Sequence, residues 1–201
     1  MEIVTVSRTL GSEGDRIAFE VAEKLGYELV DSSLIVKVAE RAGVTVENAS
    51  HFDERYTPRT VEWLKSIISP RIDKILAHQD KHLDADGFVE YASTVIRDLA
   101  EQGRVVIVGR AAQFVLAEND TAFHVRVVAG EDFRAGRVAS RYGVDRETAL
   151  GMIHKSDSAR SHYIERYFGC NWDDSTAYHF IVNSSKVGIS DVVDALVDAV
   201  D

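Results

Sequence analysis

Residues 1–25, MEIVTVSRTLGSEGDRIAFEVAEKL, constrain everything that follows them. Ile3, Val4 and Val6 form a short β-branched run that reads as a buried strand. A loop with Gly11 and Gly14 comes next, and Ile17, Val21, Ala22 and Leu25 then recur at helical spacing. A strand, a glycine-bearing turn and a helix can cradle phosphate. Backbone N–H groups at the helix start converge on one spot, and the helix dipole favours negative charge there. On two glycines alone, a plain βα turn with no ligand is an equal reading.

The pattern repeats down the chain. Tyr27–Asp31 (YELVD) predicts a second strand, and Leu34, Ile35, Val38 and Ala39 share a helix face that Gly43 ends. Residues 44–86 differ: both prolines, Pro58 and Pro70, lie there among helically spaced apolar residues. They read as an inserted helical subdomain of two or more helices. Gly87–Gln102 predicts a helix leading into Arg104–Gly109 (RVVIVG), the strongest buried-strand signal. Ala122–Val128 is a further strand and Glu131–Arg141 a further helix. Asp145 is placed to cap a helix running to about Phe168. Phe180–Val182 is a short strand, and Ile189–Val200 closes the chain as an amphipathic helix.

Strands alternating with helices require right-handed crossovers and a parallel sheet covered on both faces. The expectation is a single α/β domain over 1–201, three-layer α/β/α, with about five parallel strands. Ligands on such sheets bind at the carboxyl ends of the strands, which puts the Ser7–Arg16 loop, Asp31 and Arg110 along one rim.

Charge narrows the ligand. Lys and Arg number 23 against 33 Asp and Glu, a net −10 that argues against a general nucleic-acid binder. An anion site must then be a local basic pocket on an acidic body. Arg110 follows a buried strand directly, where a charge needs a partner such as a bound phosphate. Cys170 is the only cysteine, so no intrachain disulfide forms. No apolar run approaches the ~20 residues that span a bilayer, and residues 1–25 lack signal-peptide character, so a cytoplasmic protein is expected.

Other constellations are weaker. His78 and His82 are four apart on a predicted helix, more in keeping with a surface pair than a zinc site, and His154 and His162 are eight apart. Cys170 lies in an aromatic segment where packing fits better than catalysis, and no serine-hydrolase elbow is present.

The motifs taken together resemble the cytidylate kinase-like family, a branch of the P-loop nucleoside monophosphate kinases. They are Val4–Arg8 (VTVSR), Gly11-Ser12-Glu13-Gly14, Asp31-Ser32 after the second strand, Val108-Gly109-Arg110, and the late Asp157-Ser158-Ala159-Arg160. The resemblance runs the length of the chain and is weakest over residues 44–100. It implies a P-loop NTPase-like fold, ATP and Mg²⁺, and transfer of the γ-phosphoryl group to a nucleotide or related acceptor. The family's second-strand arginine, which grips the acceptor phosphate, corresponds to Lys37, a cation without the planar fork. Arg110 corresponds to a phosphate ligand, while Ala111 stands where the family has a base-reading aspartate. Asp157 and Arg160 match positions that contact the ribose and the acceptor phosphate. Asp31, Lys37, Arg110, Asp157 and Arg160 are therefore the expected acceptor site, with Leu10, Gly11, Ser12, Glu13, Gly14, Asp15 and Arg16 around ATP. Arg134, Arg137 and Arg141, in a lid-like region over residues 130–168, are candidates to neutralise the transferring group.

The phosphate loop departs furthest from the family. Laid on G-x-x-x-x-G-K-[ST], the first glycine falls on Arg8, the second on Glu13 and the lysine on Gly14. Losing such a donor costs about a hundred- to a thousandfold in rate. Arg8 and Arg16 flank the loop as replacements, Glu13 and Asp15 oppose phosphate unless Mg²⁺ intervenes, and Ser7 or Ser12 offers a hydroxyl to the metal. Two readings follow: a divergent nucleotide kinase, or a nucleotide- or phosphate-binding regulatory module that has lost transfer. Aromatic residues between 163 and 180 suggest a homodimer surface.

Overall fold

The computed structural model describes residues 1–31, 45–46 and 82–200. At its centre lies β1 (Ile3–Arg8), whose first five residues are buried, as a strand covered on both faces requires. A five-stranded sheet forms around it from β2 (Glu28–Asp31), β5 (Val105–Val108), β6 (Ala122–Val128) and β7 (Phe180–Asn183). The order is β2-β5-β1-β6-β7 and every pair is parallel, the arrangement that the alternating strands and helices predict.

Side chains alternate across β1 and so build two cores. Val4 and Val6 join Val106, Val108, Val125 and Val127 against α1 (Gly14–Leu25) and the C-terminal helix α6 (Ile189–Val200). Ile3, Thr5 and Ser7 point to the other face. That layer holds α2 (Ala85–Gln102), which buries Tyr91, Val95, Ile96 and Leu99. Asp84 caps α2 by accepting from the Gly87 N–H at 2.8 Å. A single turn, α3 (Ala112–Val115), follows β5.

Two antiparallel helices, α4 (Glu131–Tyr142) and α5 (Arg146–Phe168), rise over the β1–α1 loop. As its sequence predicts, Asp145 caps α5, accepting from the Thr148 N–H at 2.7 Å. Ala135, Val138, Ala149 and Ile153 form the pair's own small core, and Leu10 of the loop packs into it. The hairpin is thereby pinned to the loop.

The predicted insertion at 44–86 lies mostly outside the described residues. Its described parts include β3 (Thr45–Val46) and β4 (His82–Leu83), a short parallel ladder. His82 therefore sits on a strand, not on the helix expected from its spacing to His78, which lies outside the described residues.

Candidate active site

Three connections meet at the carboxyl ends of β1 and β5: the β1–α1 loop, the Gly109–Ala111 turn and the middle of α5. Gly11, at φ +81°, abuts α4 so closely that a Cβ there would stand 2.8 Å from the Arg134 carbonyl oxygen. Only glycine fits this approach. Glu13 holds the left-handed conformation at φ 62° just before α1, a strained choice for a residue with a Cβ. Ser12 is fully buried, and its hydroxyl donates to the Thr9 carbonyl at 2.8 Å. This turns its proton into the loop.

Arg8 occupies a corridor cut by two glycines. A Cβ on Gly14 would lie 2.5 Å from Arg8 Cβ, and a Cβ on Gly109 would lie 2.5 Å from Arg8 Nη1. Glycine at the position of the P-loop lysine thus lets the Arg8 side chain cross the start of α1. Arg8 Nε donates to Asp15 Oδ1 at 2.9 Å. Its guanidinium ends beside the β5 turn.

That turn holds Gly109, Arg110 and Ala111 at φ 79°, 53° and 55°, three successive residues in left-handed backbone. Two of them carry a Cβ, so conformational energy is spent here to aim a side chain. The Arg110 guanidinium lies 4.8 Å from the centroid of the Phe88 ring and is hydrogen-bonded to Tyr163. Burial pulls its pKa below the usual arginine value, and Arg8 adds repulsion, while Tyr163 and Asp31 push it back up. Its Nε is buried without a hydrogen-bond partner among the described residues.

Arg160 completes the group. Burial, then repulsion from Arg8, brings its pKa down to about 10. Its Nη1 donates to the Arg8 carbonyl at 3.2 Å and lies 3.5 Å from Asp157 Oδ1. Arg8, Arg110 and Arg160 line one cavity of about 320 Å³, together with Ser7, Tyr163 and Trp172. Lys37, the fourth expected cation, lies outside the described residues, and Asp31 reaches the site through its charge on Arg110.

A second, smaller cavity of about 90 Å³ lies over the loop. Leu10, Gly11, Glu13, Gly14, Asp15 and Arg16 line it, with Arg137 and Arg141 reaching in from α4. Arg137 pairs with Glu13 at 3.7 Å, and Arg16 pairs along its own helix with Glu20 at 2.7 Å. Arg134 is placed differently from its two helix neighbours. It is partly buried, bonded to Asp157 Oδ2, and lines neither cavity.

Sequence reasoning missed Tyr163 and the role of Trp172. Trp172 is buried, its Nε1 donates to Ser7 Oγ at 2.8 Å, and Arg126 lies 4.3 Å from its ring centroid. Arg126, itself buried on β6, also donates to the Trp172 carbonyl, to the Tyr178 hydroxyl and to Asp173. The signal available was a charge inside AFHVRVV, a strand apolar but for His124 and Arg126. These contacts turn Trp172 and Tyr178 inward, while Tyr163, Tyr167, Phe168 and Phe180 of the same segment stay partly exposed. Cys170 packs beside Phe168 and Trp172, consistent with a packing role. His154 pairs with Glu131 and His162 lies near Ser158, two unrelated contacts. Among the described residues, no group of three or more His, Cys, Asp or Glu side chains is placed to hold a metal ion. No described helix is long and apolar enough to cross a membrane.

A parallel sheet in this order, with a glycine loop between its central strand and the next helix, defines the class of P-loop kinase folds. Solved structures agree. A shikimate kinase from Bacteroides thetaiotaomicron superposes with a TM-score of 0.55 at 14% identity, covering 98% of this chain and 97% of its own. An uncharacterized protein from Eubacterium ventriosum superposes with a TM-score of 0.74 at 24% identity, covering 100% and 99%. The cytidylate kinase of Archaeoglobus fulgidus is 25% identical over 204 residues, 98% of this chain and 94% of that protein. That of Pyrococcus horikoshii is 26% identical, over 99% and 90%. The sequence model of the cytidylate kinase-like family matches residues 3–186, and the chain belongs to that family.

Proposed function

We propose that the protein is a divergent nucleotide kinase that moves a phosphoryl group from ATP to a phosphorylated small-molecule acceptor. The observation that carries this reading is the convergence of Arg8, Arg110 and Arg160 on one cavity of an otherwise acidic protein. Three guanidinium groups repel one another, and a phosphate monoester relieves that repulsion while filling their hydrogen bonds. Arg8 takes over the charge of the missing lysine from the opposite end of the loop. It lines the larger cavity and bonds to Asp15 of the smaller one, between the places where donor and acceptor phosphates would lie. Catalysis of this kind is positioning and charge neutralisation, with no covalent intermediate on the protein.

The loop's donors suit a phosphate. Backbone N–H groups at the start of α1, with Arg137 and Arg141, would hold the ATP phosphates, and the Asp15 carboxylate is the group suited to Mg²⁺. Bound Mg²⁺ supplies positive charge against the phosphate oxygens. The helical pair α4–α5 acts as the lid, and a cytoplasmic setting, where ATP is available, follows from this reading. The relatives' name makes cytidine monophosphate the first acceptor to try.

One observation favours the second reading, a binding module without transfer. The cavity over the loop, at about 90 Å³, is below the range that encloses a whole nucleotide-sized ligand. Turnover under this fold requires the Arg137–Tyr142 end of α4, which lines that cavity, to move off the loop. The test is calorimetry with nucleoside monophosphates and with ATP·Mg²⁺, followed by an ATP-consumption assay over the same acceptors. Binding and turnover, both lost in Arg110→Ala, support the kinase. Monophosphate binding without turnover supports the module, and no binding at all sinks both.

A further inference from the structure

We infer that Asp157 is a positioning residue of the phosphate loop and makes no contact with the acceptor, an inference that rests on the phosphotransferase reading above. Both carboxylate oxygens are already committed inside the protein. Oδ1 accepts from the Leu10 N–H at 3.1 Å, and Oδ2 accepts from Arg134. Arg134 Nη1 also lies 3.4 Å from the Leu10 carbonyl, so Asp157 and Arg134 together clasp both polar groups of that one peptide residue. Leu10 in turn packs its side chain into the core of the α4–α5 pair, and Gly11 abuts the Arg134 backbone. Asp157 is thus the charge at which α5, α4 and the loop are joined.

The same carboxylate bears on the acceptor cavity through Arg160, 3.5 Å from Oδ1. Only this charge reaches the cavity; Asp157 itself is absent from its lining. Removing the Asp157 charge therefore has opposite consequences on the two sides. The loop's tether is weakened, since an asparagine oxygen that accepts from Leu10 turns its amide N–H groups toward Arg134, while Arg160 loses a competing anion and is left freer for phosphate. A residue that held the acceptor sugar would behave the other way round, weakening the acceptor and sparing the loop.

The experiment uses the full chain with Asp157→Asn. Amide exchange by NMR reads the loop directly, calorimetry with ATP·Mg²⁺ reads the donor side, and calorimetry with cytidine monophosphate and inorganic phosphate reads the acceptor side. The inference expects Leu10 exchange to accelerate at least about tenfold with the Val6 and Val106 amides unchanged. It expects ATP·Mg²⁺ to bind at least about tenfold more weakly, and monophosphate to bind as tightly as before or more tightly. Unchanged Leu10 exchange overturns it, and so does monophosphate binding that falls while ATP binding holds. Should the wild type bind none of these ligands, the phosphotransferase reading fails, and Leu10 exchange alone decides the role of Asp157. If Asn does not fold, Asp157→Glu keeps the charge but displaces it by a methylene, and is expected to show the same pattern in weaker form.

Discussion

Arg8 crosses Gly14 so closely that the two positions cannot both carry a side chain: a Cβ on Gly14 would lie 2.5 Å from Cβ of Arg8 and 3.0 Å from its Cγ. An arginine where the P-loop has its first glycine and a glycine where it has its lysine are therefore one exchange. The cation has moved from the helix start to the strand end.

This exchange is testable as a cycle. Gly14→Lys alone drives a side chain into Arg8 and is expected to destabilise the fold by about 1–3 kcal/mol, the usual penalty for overpacking. Arg8→Gly alone removes the cation, with an expected loss of about a hundred- to a thousandfold in turnover. The double variant Arg8→Gly/Gly14→Lys restores the ordinary arrangement and is expected to recover much of both losses. Melting temperature and ATP consumption measure the two, and a strictly additive double variant would contradict the coupling.

Arg110 offers a sharper test of ligand geometry. Its Nε is buried without a partner among the described residues, and a lysine has no atom to put there. Arg110→Lys keeps the charge but is expected to weaken monophosphate binding roughly tenfold to a hundredfold, the worth of one hydrogen bond to a charged group. Calorimetry on the pure variant checks it. An affinity equal to wild type would mean that the ligand feels only net charge.

The pH dependence of binding follows from Arg160. With its pKa brought down to about 10, the charge is present at neutral pH and lost as pH rises through that value. At the other end, a phosphate monoester gains its second charge as pH rises through about 6. Monophosphate affinity is thus expected to climb to about pH 7, hold to about pH 9 and fall above 10. In Arg160→Gln the upper fall should flatten, and an unchanged upper limb would assign it to another group.

Much of this architecture was legible in the residues. The β-branched runs at Ile3–Val6 and Val105–Val108 and the helical spacing of α1 and α6 fix the layers. Their hydrophobic period reports burial, and burial is what a sheet position means. Capping was equally plain at Asp145, where a side chain and its N–H target are three residues apart. The site was legible in part. Arg8 and Arg110 stand out at strand ends, whereas Arg160, among polar neighbours, is marked only by the resemblance of Asp157-Ser158-Ala159-Arg160 to the family's motif. Arg134, Arg137 and Arg141 look alike in sequence, yet only the fold turns the first onto Asp157 and the other two toward the loop. Tyr163 and Arg126 reach the cavity and its Trp172 wall across distances that no local pattern encodes.

Acid stability depends on a residue far from this chemistry. His124 lies buried in β6, with its Nδ1 2.8 Å from the Thr5 hydroxyl of β1 and its ring 5.1 Å from that of His179. Burial, and then the charge of His179, brings its pKa down from 6.5 to about 4. Between those values the unfolded chain carries a proton that the folded one refuses, so the unfolded state binds more protons and stability rises with pH. Acidification from about pH 6.5 to 4 is therefore expected to cost up to about 3 kcal/mol through this one group, with no further cost from it below 4. His124→Asn retains a partner for Thr5 but does not titrate. Its stability at neutral pH should be lower than wild type, while the fall between pH 6.5 and 4 should be shallower by up to about one proton. Urea denaturation at half-unit pH steps measures both slopes, and parallel curves for the two proteins would assign the acid sensitivity elsewhere.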